Sequence, residues 1–171
     1  MKPLLIMIGA APGTGKSSVA AKLYTKLSPS VWLDADDLWR MNPFVVNAQS
    51  KEMVLRNAAL MLSSLLSESF SYIIFTWVMH EPWIIQDLLS RLTYTNYCLL
   101  HYTLYCSEQE LLRRLAASSI KRDPGLCLDR LRSIRQNYPD AIDTGNLSTD
   151  AVVNLLMQDI SAKKADQNSH L

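Results

Sequence analysis

One ten-residue stretch near the start of the chain, GAAPGTGKSS (Gly9–Ser18), limits the possible folds more than any other feature. It follows the apolar run Leu4–Ile8, which is typical of a buried strand, and leads into Lys16–Leu27, where apolar residues recur at helical spacing. Three glycines within seven residues weaken any regular element, so a loop with an uncovered backbone separates the strand from the helix. The sequence therefore predicts a strand, a glycine loop and a helix in direct succession.

The remainder of the chain alternates in the same way between short apolar runs and amphipathic segments. Further strands are predicted at residues 31–33, 72–77, 97–105 and 141–143. Further helices are predicted at residues 50–68, 83–92, 128–136 and 149–162, and another opens at the SEQE sequence of 107–110, which matches a capping box. Alternating strands and helices favour an α/β fold in which helices cover both faces of a five-stranded parallel sheet.

Size and composition narrow the class of protein. The 171 residues suit a single domain over 1–171, whose polar tail at about 163–171 is predicted to be disordered. A net charge of +1 predicts no nucleic-acid partner, and no apolar run reaches the ~18 residues that cross a bilayer, so no membrane partner is expected. The three cysteines form no C-x-x-C pair, which favours reduced thiols in a cytoplasmic protein. We expect a monomer or a homodimer.

The glycine loop has the residues of a phosphate site. The first turn of a helix has unpaired N–H groups and the positive end of the helix dipole, which together attract anions. Lys16 is placed to reach terminal phosphates, and the Ser17 hydroxyl is placed to ligate Mg²⁺. The spacing matches the P-loop (Walker A) pattern, with Ala10 at the position of its first glycine. The residues whose main-chain amides are expected to form a cup around the phosphates are Gly13, Thr14, Gly15, Lys16, Ser17 and Ser18.

Three carboxylates follow the second predicted strand, in the sequence DADD. Phosphoryl transfer needs Mg²⁺, neutralisation of charge and an aligned nucleophile, and a carboxylate beside the acceptor hydroxyl can orient it and take its proton. Asp36 is our candidate for that role. Capping of the following helix is the alternative for Asp34 and is the favoured interpretation for Asp37.

The strand, the glycine loop, the helix and the DADD sequence after the second strand together resemble the small P-loop kinases related to shikimate kinase, gluconate kinase, adenylate kinase and chloramphenicol phosphotransferase. The resemblance implies a three-layer P-loop NTPase fold with a nucleotide-kinase-like lid, and ATP and Mg²⁺ as cofactors. The D-x-D arrangement resembles that of shikimate kinase, which implies that Asp34 helps to hold Mg²⁺, often through water, and that Asp36 positions the acceptor hydroxyl.

The resemblance extends to the second half of the chain and implies a lid at about residues 113–126. In these kinases an arginine that opens the lid stacks on adenine, which matches Arg114 or Arg113, and another reaches the transferring phosphate, which matches Arg122. An ordinary solvated helix face is the alternative for the arginine pair. Residues 143–148 resemble the loop that borders the adenine.

We therefore expect an ATP-dependent kinase that acts on a hydroxyl of a small molecule, with Lys16, Asp36 and Arg122 as its catalytic residues. A nucleotide kinase is the alternative enzyme, and it would bind the phosphate of its acceptor through Arg40 or Arg56. The third strand ends YIIFTW with no Walker B acid. This absence keeps open a third interpretation, a nucleotide-binding regulator or slow NTPase without an acceptor.

The acceptor is expected over residues 36–70 and over the segment after the third strand. Its aromatic residues favour a hydrophobic or aromatic acceptor, although places in the core are the alternative for these side chains. Few basic residues lie nearby in the sequence, which favours a neutral alcohol. The candidate residues are Trp39, Arg40, Met41, Phe44, Trp77, Met79, His80 and Trp83. His80 has two interpretations, a second acid–base group or a hydrogen-bonded loop residue.

Overall fold

The computed structural model describes residues 2–169, with side chains as far as Asp166. One parallel sheet runs through it, in the strand order β2-β3-β1-β4-β5. β1 lies at the centre because all seven of its residues are buried, so it needs a neighbour on each edge and a layer on each face. The strands are β1 (Leu4–Ala10), β2 (Ser30–Asp34), β3 (Tyr72–Trp77), β4 (Cys98–Tyr105) and β5 (Ile142–Asp143).

Helices follow the strands in alternation, as the sequence predicts. Within the described residues, none of them is both long enough and apolar enough to span a bilayer. They are α1 (Lys16–Lys26), a short 3₁₀ helix (Ala35–Trp39), α2 (Ala48–Ser67), α3 (Pro82–Ser90), α4 (Glu108–Ala117), α5 (Pro124–Asn137) and α6 (Thr149–Ser169).

The core has one layer on each face of the sheet because successive side chains of β1 point to opposite faces. Met7 packs with Leu62 of α2 and Leu88 of α3 on one face. Ile8 packs with Leu23 of α1 and with Val153 of α6 on the other. This is the predicted α/β architecture, a parallel sheet between two layers of helices.

Three local predictions need correction. α5 begins at Pro124 rather than at residue 128, because Asp123 caps it by accepting the amide hydrogen of Gly125 at 2.9 Å and proline suits the first turn of a helix. Ser107 caps α4 as expected, but the carboxylate of Glu110 binds arginines of its own helix instead of completing a capping box.

The end of the last helix is the third correction, since α6 continues to Ser169 rather than ending at about residue 162. The Lys164 ammonium group donates a hydrogen bond of 2.7 Å to the hydroxyl of Tyr72 and lies 3.9 Å from the centre of its ring. These contacts hold the end of α6 against the sheet. The last two residues of the predicted tail, 170 and 171, lie outside the described residues.

The register of the sheet brings the two sequence motifs to one edge. Gly9 of β1 lies opposite Trp77 of β3, and Asp34 of β2 lies opposite Thr76 of the same strand. In an open parallel sheet the carboxyl ends of the strands are where ligands bind. The glycine loop after β1 and the carboxylates after β2 therefore emerge side by side.

Candidate active site

The glycine loop occupies residues 11–15, between the end of β1 and the first residue of α1. Gly13 and Gly15 have φ angles of 89° and 110°, in the left-handed region that favours glycine. A Cβ atom on Gly13 would lie 2.7 Å from Cδ2 of Leu115, so a side chain there would also require the end of Leu115 to shift. These backbone conformations turn the loop into the first turn of α1, as a phosphate cup requires.

Two pairs of side chains join this loop to the carboxylates after β2. Lys16 Nζ donates to Asp36 Oδ2 at 2.8 Å, and Ser17 Oγ donates to Asp34 Oδ2 at 3.0 Å. The lysine side chain is 7% exposed whereas that of Asp36 is 53% exposed, so the pair lies at the floor of an open site. The structure thus brings together four of the residues that the sequence singled out.

Asp34 has the capping role considered from the sequence, and its metal-binding role stays a prediction. Its other oxygen, Oδ1, accepts the amide hydrogen of Asp36 at 3.1 Å, which caps the 3₁₀ helix and fixes the carboxylate beside Ser17. Asp37 points elsewhere and binds the guanidinium of Arg40, at 2.6 Å from Nη2. Asp37 is therefore separate from the Lys16–Asp36 pair.

The residues around Ser17 fit a magnesium ion. A hydroxyl and a carboxylate oxygen 3.0 Å apart are the oxygen ligands that Mg²⁺ prefers, and Mg²⁺ keeps several waters and takes its other ligands from phosphates. Within the described residues, no group of three or more His, Cys, Asp or Glu side chains forms a cage for a metal ion. β3 ends without an acid, and Thr76 there accepts a hydrogen bond from the indole of Trp32. Asp34 is thus the carboxylate that directly contacts Ser17.

A cleft of about 540 Å³ opens beside the glycine loop, and its volume is in the range of small-ligand sites. Its walls come from the loop, from the start of α1, from α4 and from residues 144–149 after β5. The loop after β5 therefore borders the cleft, at the position that the resemblance implied for adenine.

Arg114 joins three walls of this cleft. Its guanidinium donates to the carbonyl oxygen of Thr14 at 2.7 Å and to that of Thr144 at 2.8 Å, and its Nε donates to Glu110 at 2.7 Å. Arg113 extends into solvent and pairs with Glu110 as well. Two arginines hold the pKa of the Glu110 carboxyl at about 2, with the hydrogen bond from Arg113 as the largest cause. The contacts show Arg114 as a brace of the phosphate loop, and its stacking on adenine stays a prediction.

Arg122 is not brought to the other site residues. It lies exposed in the connection of residues 118–123 between α4 and α5, where the predicted lid is made of the end of α4, this connection and the first residues of α5. No ion pair joins it to a carboxylate of the described side chains. Its role on the transferred phosphate stays a prediction.

The segment after β3 lies against the end of β1. Met79 is buried, and a Cβ atom on Gly9 would lie 3.4 Å from it, so this residue belongs to the core rather than to an acceptor surface. Phe44 and Trp83 are exposed, and the Phe44 ring lies 6.3 Å from that of Trp39. Aromatic side chains available to an acceptor are therefore those of the 3₁₀ helix, the following loop and α3.

His80 meets a residue that the sequence analysis did not select. The guanidinium of Arg130, on α5, lies against its ring, with Nη1 2.9 Å from Nδ1 and in contact also with Nε2. Burial lowers the pKa of His80, and the charge of Arg130 lowers it further, so the ring is held neutral and accepts from the arginine. Arg130, Ser133 and Asn137 share one face of α5, but helical spacing does not identify the segment that this face meets.

The two neutral members of this face fix the next residue, Glu81. Ser133 Oγ donates to Glu81 Oε1 at 2.6 Å and Asn137 Nδ2 donates to Glu81 Oε2 at 3.1 Å. Both side chains also donate to the carbonyl oxygen of His80 at 3.1 Å. α5 thereby fixes the position of the segment after β3.

Comparisons with known proteins agree with this architecture. A sequence profile of the family described as AAA domain matches residues 6–137, from β1 to the end of α5. No curated protein sequence matches the chain.

Solved structures share the fold at low sequence identity. The tunicamycin resistance protein of Deinococcus radiodurans has 20% identity and a TM-score of 0.73, over 92% of this chain and 95% of its own. Thymidylate kinase of Candida albicans has 19% identity and a TM-score of 0.67, over 95% and 93%. Shikimate kinase of Aquifex aeolicus has 15% identity and a TM-score of 0.61, over 94% and 98%. The predicted resemblance to small P-loop kinases is confirmed at the level of the fold.

Proposed function

The chain belongs to the AAA domain family, and from this premise we propose that it is an ATP-dependent phosphotransferase that moves the γ-phosphoryl group of ATP to a hydroxyl of a small molecule. The observation that carries the proposal is the pair of contacts between the glycine loop and the acids after β2, Lys16 with Asp36 and Ser17 with Asp34. The proposal is supported by the position of Lys16 beside a carboxylate with an exposed face. This combination suits transfer of a phosphoryl group to an acceptor.

In this proposal the nucleotide occupies the cleft beside the glycine loop. The main-chain amides of residues 13–18 hold the phosphates at the positive end of α1, and Lys16 binds the terminal phosphates as a point charge. Residues 144–149 and the arginines of α4 border the base. Ser17 and Asp34 would hold Mg²⁺, which neutralises charge on the phosphate oxygens when it is bound.

Asp36 orients the acceptor. Once Lys16 binds phosphate oxygens, the carboxylate of Asp36 is released to accept the proton of the acceptor hydroxyl. The acceptor oxygen then bonds to the γ-phosphorus as the bond from that phosphorus to the bridging oxygen breaks, and ADP leaves with the electron pair of that bond. In this proposal Arg122 stabilises the negative charge on the transferred phosphoryl group. This role requires the connection between α4 and α5 to fold over the glycine loop.

A comparison of two neighbouring aspartates tests the proposal. We expect Asp36→Ala to bind Mg·ATP in calorimetry at least as well as the wild type, because Lys16 loses a competing partner. Transfer from radiolabelled ATP should fall by the ~10²–10⁴-fold typical of a positioned acid–base group. The matched control is Asp37→Ala, since Asp37 pairs only with exposed Arg40. Equal transfer rates in the two variants would remove Asp36 from its assigned role.

A nucleotide-binding regulator without an acceptor is the second candidate. It is favoured by the end of β3, where Thr76 and Trp77 stand in place of an acid. This candidate predicts Mg·ATP binding with slow hydrolysis and no transfer to any member of a panel of sugars, nucleosides, hydroxy acids and antibiotics. Transfer to one class in the panel would exclude it.

A further inference from the structure

We propose that the nucleotide site accepts GTP as a phosphoryl donor beside ATP, and that Asp143 binds the guanine base. The inference rests on the proposed function, because it names a second donor for the same site. The transfer step is the one proposed for ATP, with GDP in place of ADP as the leaving group that keeps the electron pair. Its basis is a fixed carboxylate with a free oxygen, beside a cavity that continues the nucleotide cleft.

A second cavity, of about 320 Å³, extends from the nucleotide cleft between the start of α4 and the end of β5. The two cavities share four lining residues and are therefore contiguous. These residues are Glu110, Arg113, Gly145 and Asn146. A nucleotide whose phosphates lie at the glycine loop, and whose base extends between α4 and residues 144–149, can thus place the polar edge of its base in the second cavity.

Asp143, the last residue of β5, is held in a fixed position beside this cavity. Its Oδ1 atom accepts the amide hydrogen of Gly145 at 2.8 Å, and a Cβ atom on Gly145 would lie 3.1 Å from the same oxygen. The backbone after it is anchored as well, because the amide of Thr144 donates to Tyr105 at 2.8 Å and Arg114 donates to the carbonyl oxygen of Thr144 at 2.8 Å. Such preorganisation lowers the entropic cost of binding a ligand.

The second oxygen of Asp143 is available to a ligand. No donor among the described side chains and backbone reaches its Oδ2 atom, and no basic side chain within residues 2–166 forms an ion pair with it. Glu110, the other acid that lines this cavity, has both of its oxygens bound by Arg113 and Arg114. Asp143 is therefore the acid of this cavity that can accept hydrogen bonds from a base.

A carboxylate in this place matches the edge of guanine. Guanine has two adjacent donors, N1–H and the N2 amino group, which suit the two oxygens of a carboxylate. Each carboxylate oxygen has two lone pairs, so Oδ1 can keep the amide of Gly145 while it accepts a second hydrogen bond. The amide groups of Gln109 and Asn146, which also line the cavity, supply donors for the guanine O6 atom. Adenine can use its amino group for one such contact, so ATP remains a donor.

The test uses the full chain with Mg²⁺ and non-hydrolysable analogues of GTP, ITP, XTP and ATP, whose binding is measured by calorimetry. The bases of the first three differ at C2, which carries an amino group, a hydrogen atom or an oxygen. We expect the GTP analogue to bind at least as tightly as the ATP analogue. It should bind about 10-fold more tightly than the ITP analogue, which lacks one charge-assisted hydrogen bond. Transfer to the acceptor panel is measured separately with radiolabelled GTP and ATP.

An isosteric variant connects the preference to Asp143. Asp143→Asn keeps an oxygen for the amide of Gly145 and replaces the free oxygen by an amide nitrogen, which donates instead of accepting. Affinity for the GTP analogue should fall by about 10-fold, while affinity for the XTP analogue should rise, because xanthine has a carbonyl oxygen at C2. Asp140→Asn is the matched control, since Asp140 lies just before β5 and lines neither cavity.

The outcomes separate this inference from the proposed function. Equal binding of the GTP and ITP analogues, or transfer from ATP without transfer from GTP, would overturn the inference and leave the phosphotransferase intact. An equal change of all four affinities in Asp143→Asn would also overturn it, because Asp143 would then only support the loop. Guanine selectivity that depends on Asp143, without transfer from either nucleotide, would retain the base site and refute the phosphotransferase.

Discussion

The proposed nucleotide side and the proposed acceptor side of the site are built in different ways. On the nucleotide side, one continuous stretch, residues 9–18, supplies the backbone amides, the lysine and the hydroxyl. The residues of the proposed acceptor side come from separate stretches, namely the acids after β2 and the segment after β3, which side chains of α5 hold in place. The phosphates of ATP are the same in every such protein and can be bound by a short backbone motif. The acceptor differs from protein to protein, and its site is assembled by packing.

The largest expected effect comes from breaking the nucleotide side at Lys16. Lys16→Ala should weaken Mg·ATP binding and lower transfer by about 10³-fold, because a charged donor to the transferring group is lost. Lys22→Ala is the control, since Lys22 lies on the same helix and pairs with Asp150 at the surface. Calorimetry and transfer assays measure both effects. Wild-type ATP affinity in Lys16→Ala would refute the phosphate cup.

A substitution of Arg114 tests whether the glycine loop depends on hydrogen bonds from α4, a helix outside the glycine motif. Arg114→Gln removes charge-assisted hydrogen bonds to the carbonyl oxygens of Thr14 and Thr144, which should lower the free energy of unfolding by about 2–3 kcal/mol. ATP affinity should fall as well, because the loop loses its support. Arg113→Gln should leave the free energy of unfolding nearly unchanged, since Arg113 is exposed and pairs at the surface. Denaturant unfolding and calorimetry on both variants decide the point.

A smaller effect is expected where the loop needs glycine. Gly13→Ala places a side chain at a positive φ and against Leu115, which should lower the free energy of unfolding by about 1–2 kcal/mol. Gly125→Ala is the control, because Gly125 lies in the first turn of α5 without a positive φ, and its Cβ would lie 3.3 Å from Asp123 Oδ1. Equal stability of the two variants would show that the left-handed conformation of Gly13 is not required.

The smallest effect concerns the charge that supports Arg114. Two arginines lower the pKa of Glu110 from 4.5 to about 2, so the folded state keeps this carboxylate charged while the unfolded state takes up a proton. The stabilisation from this group is complete above about pH 4.5 and is lost as the pH falls towards about pH 2. Glu110→Gln should therefore flatten the acid limb of a plot of unfolding free energy against pH. Glu108→Gln, which removes a partner of one arginine rather than two, should flatten it less.

Patterns local in the chain predicted most of the fold. β3 has the bounds that its β-branched and aromatic residues indicated, and α1 begins at Lys16 as its apolar spacing required. The errors lie at element ends, where tertiary contacts decide. α6 extends beyond its predicted end because Lys164 donates a hydrogen bond to the hydroxyl of Tyr72 on β3. α5 begins before its predicted start because the carboxylate of Asp123 accepts a hydrogen bond from the amide of Gly125 and so caps the helix.

The site divides in the same way between what is continuous in the chain and what is not. The sequence by itself determined the glycine loop and the carboxylates beside it, because a strand, a glycine loop and a helix create that geometry locally and parallel strands bring Asp34 and Asp36 to the same edge. Only the tertiary structure decided that Arg114 braces the loop through Thr14 and that Arg130 faces His80. Helical spacing tells which side chains share a face, but the neighbour that this face meets is chosen by the packing of the whole domain.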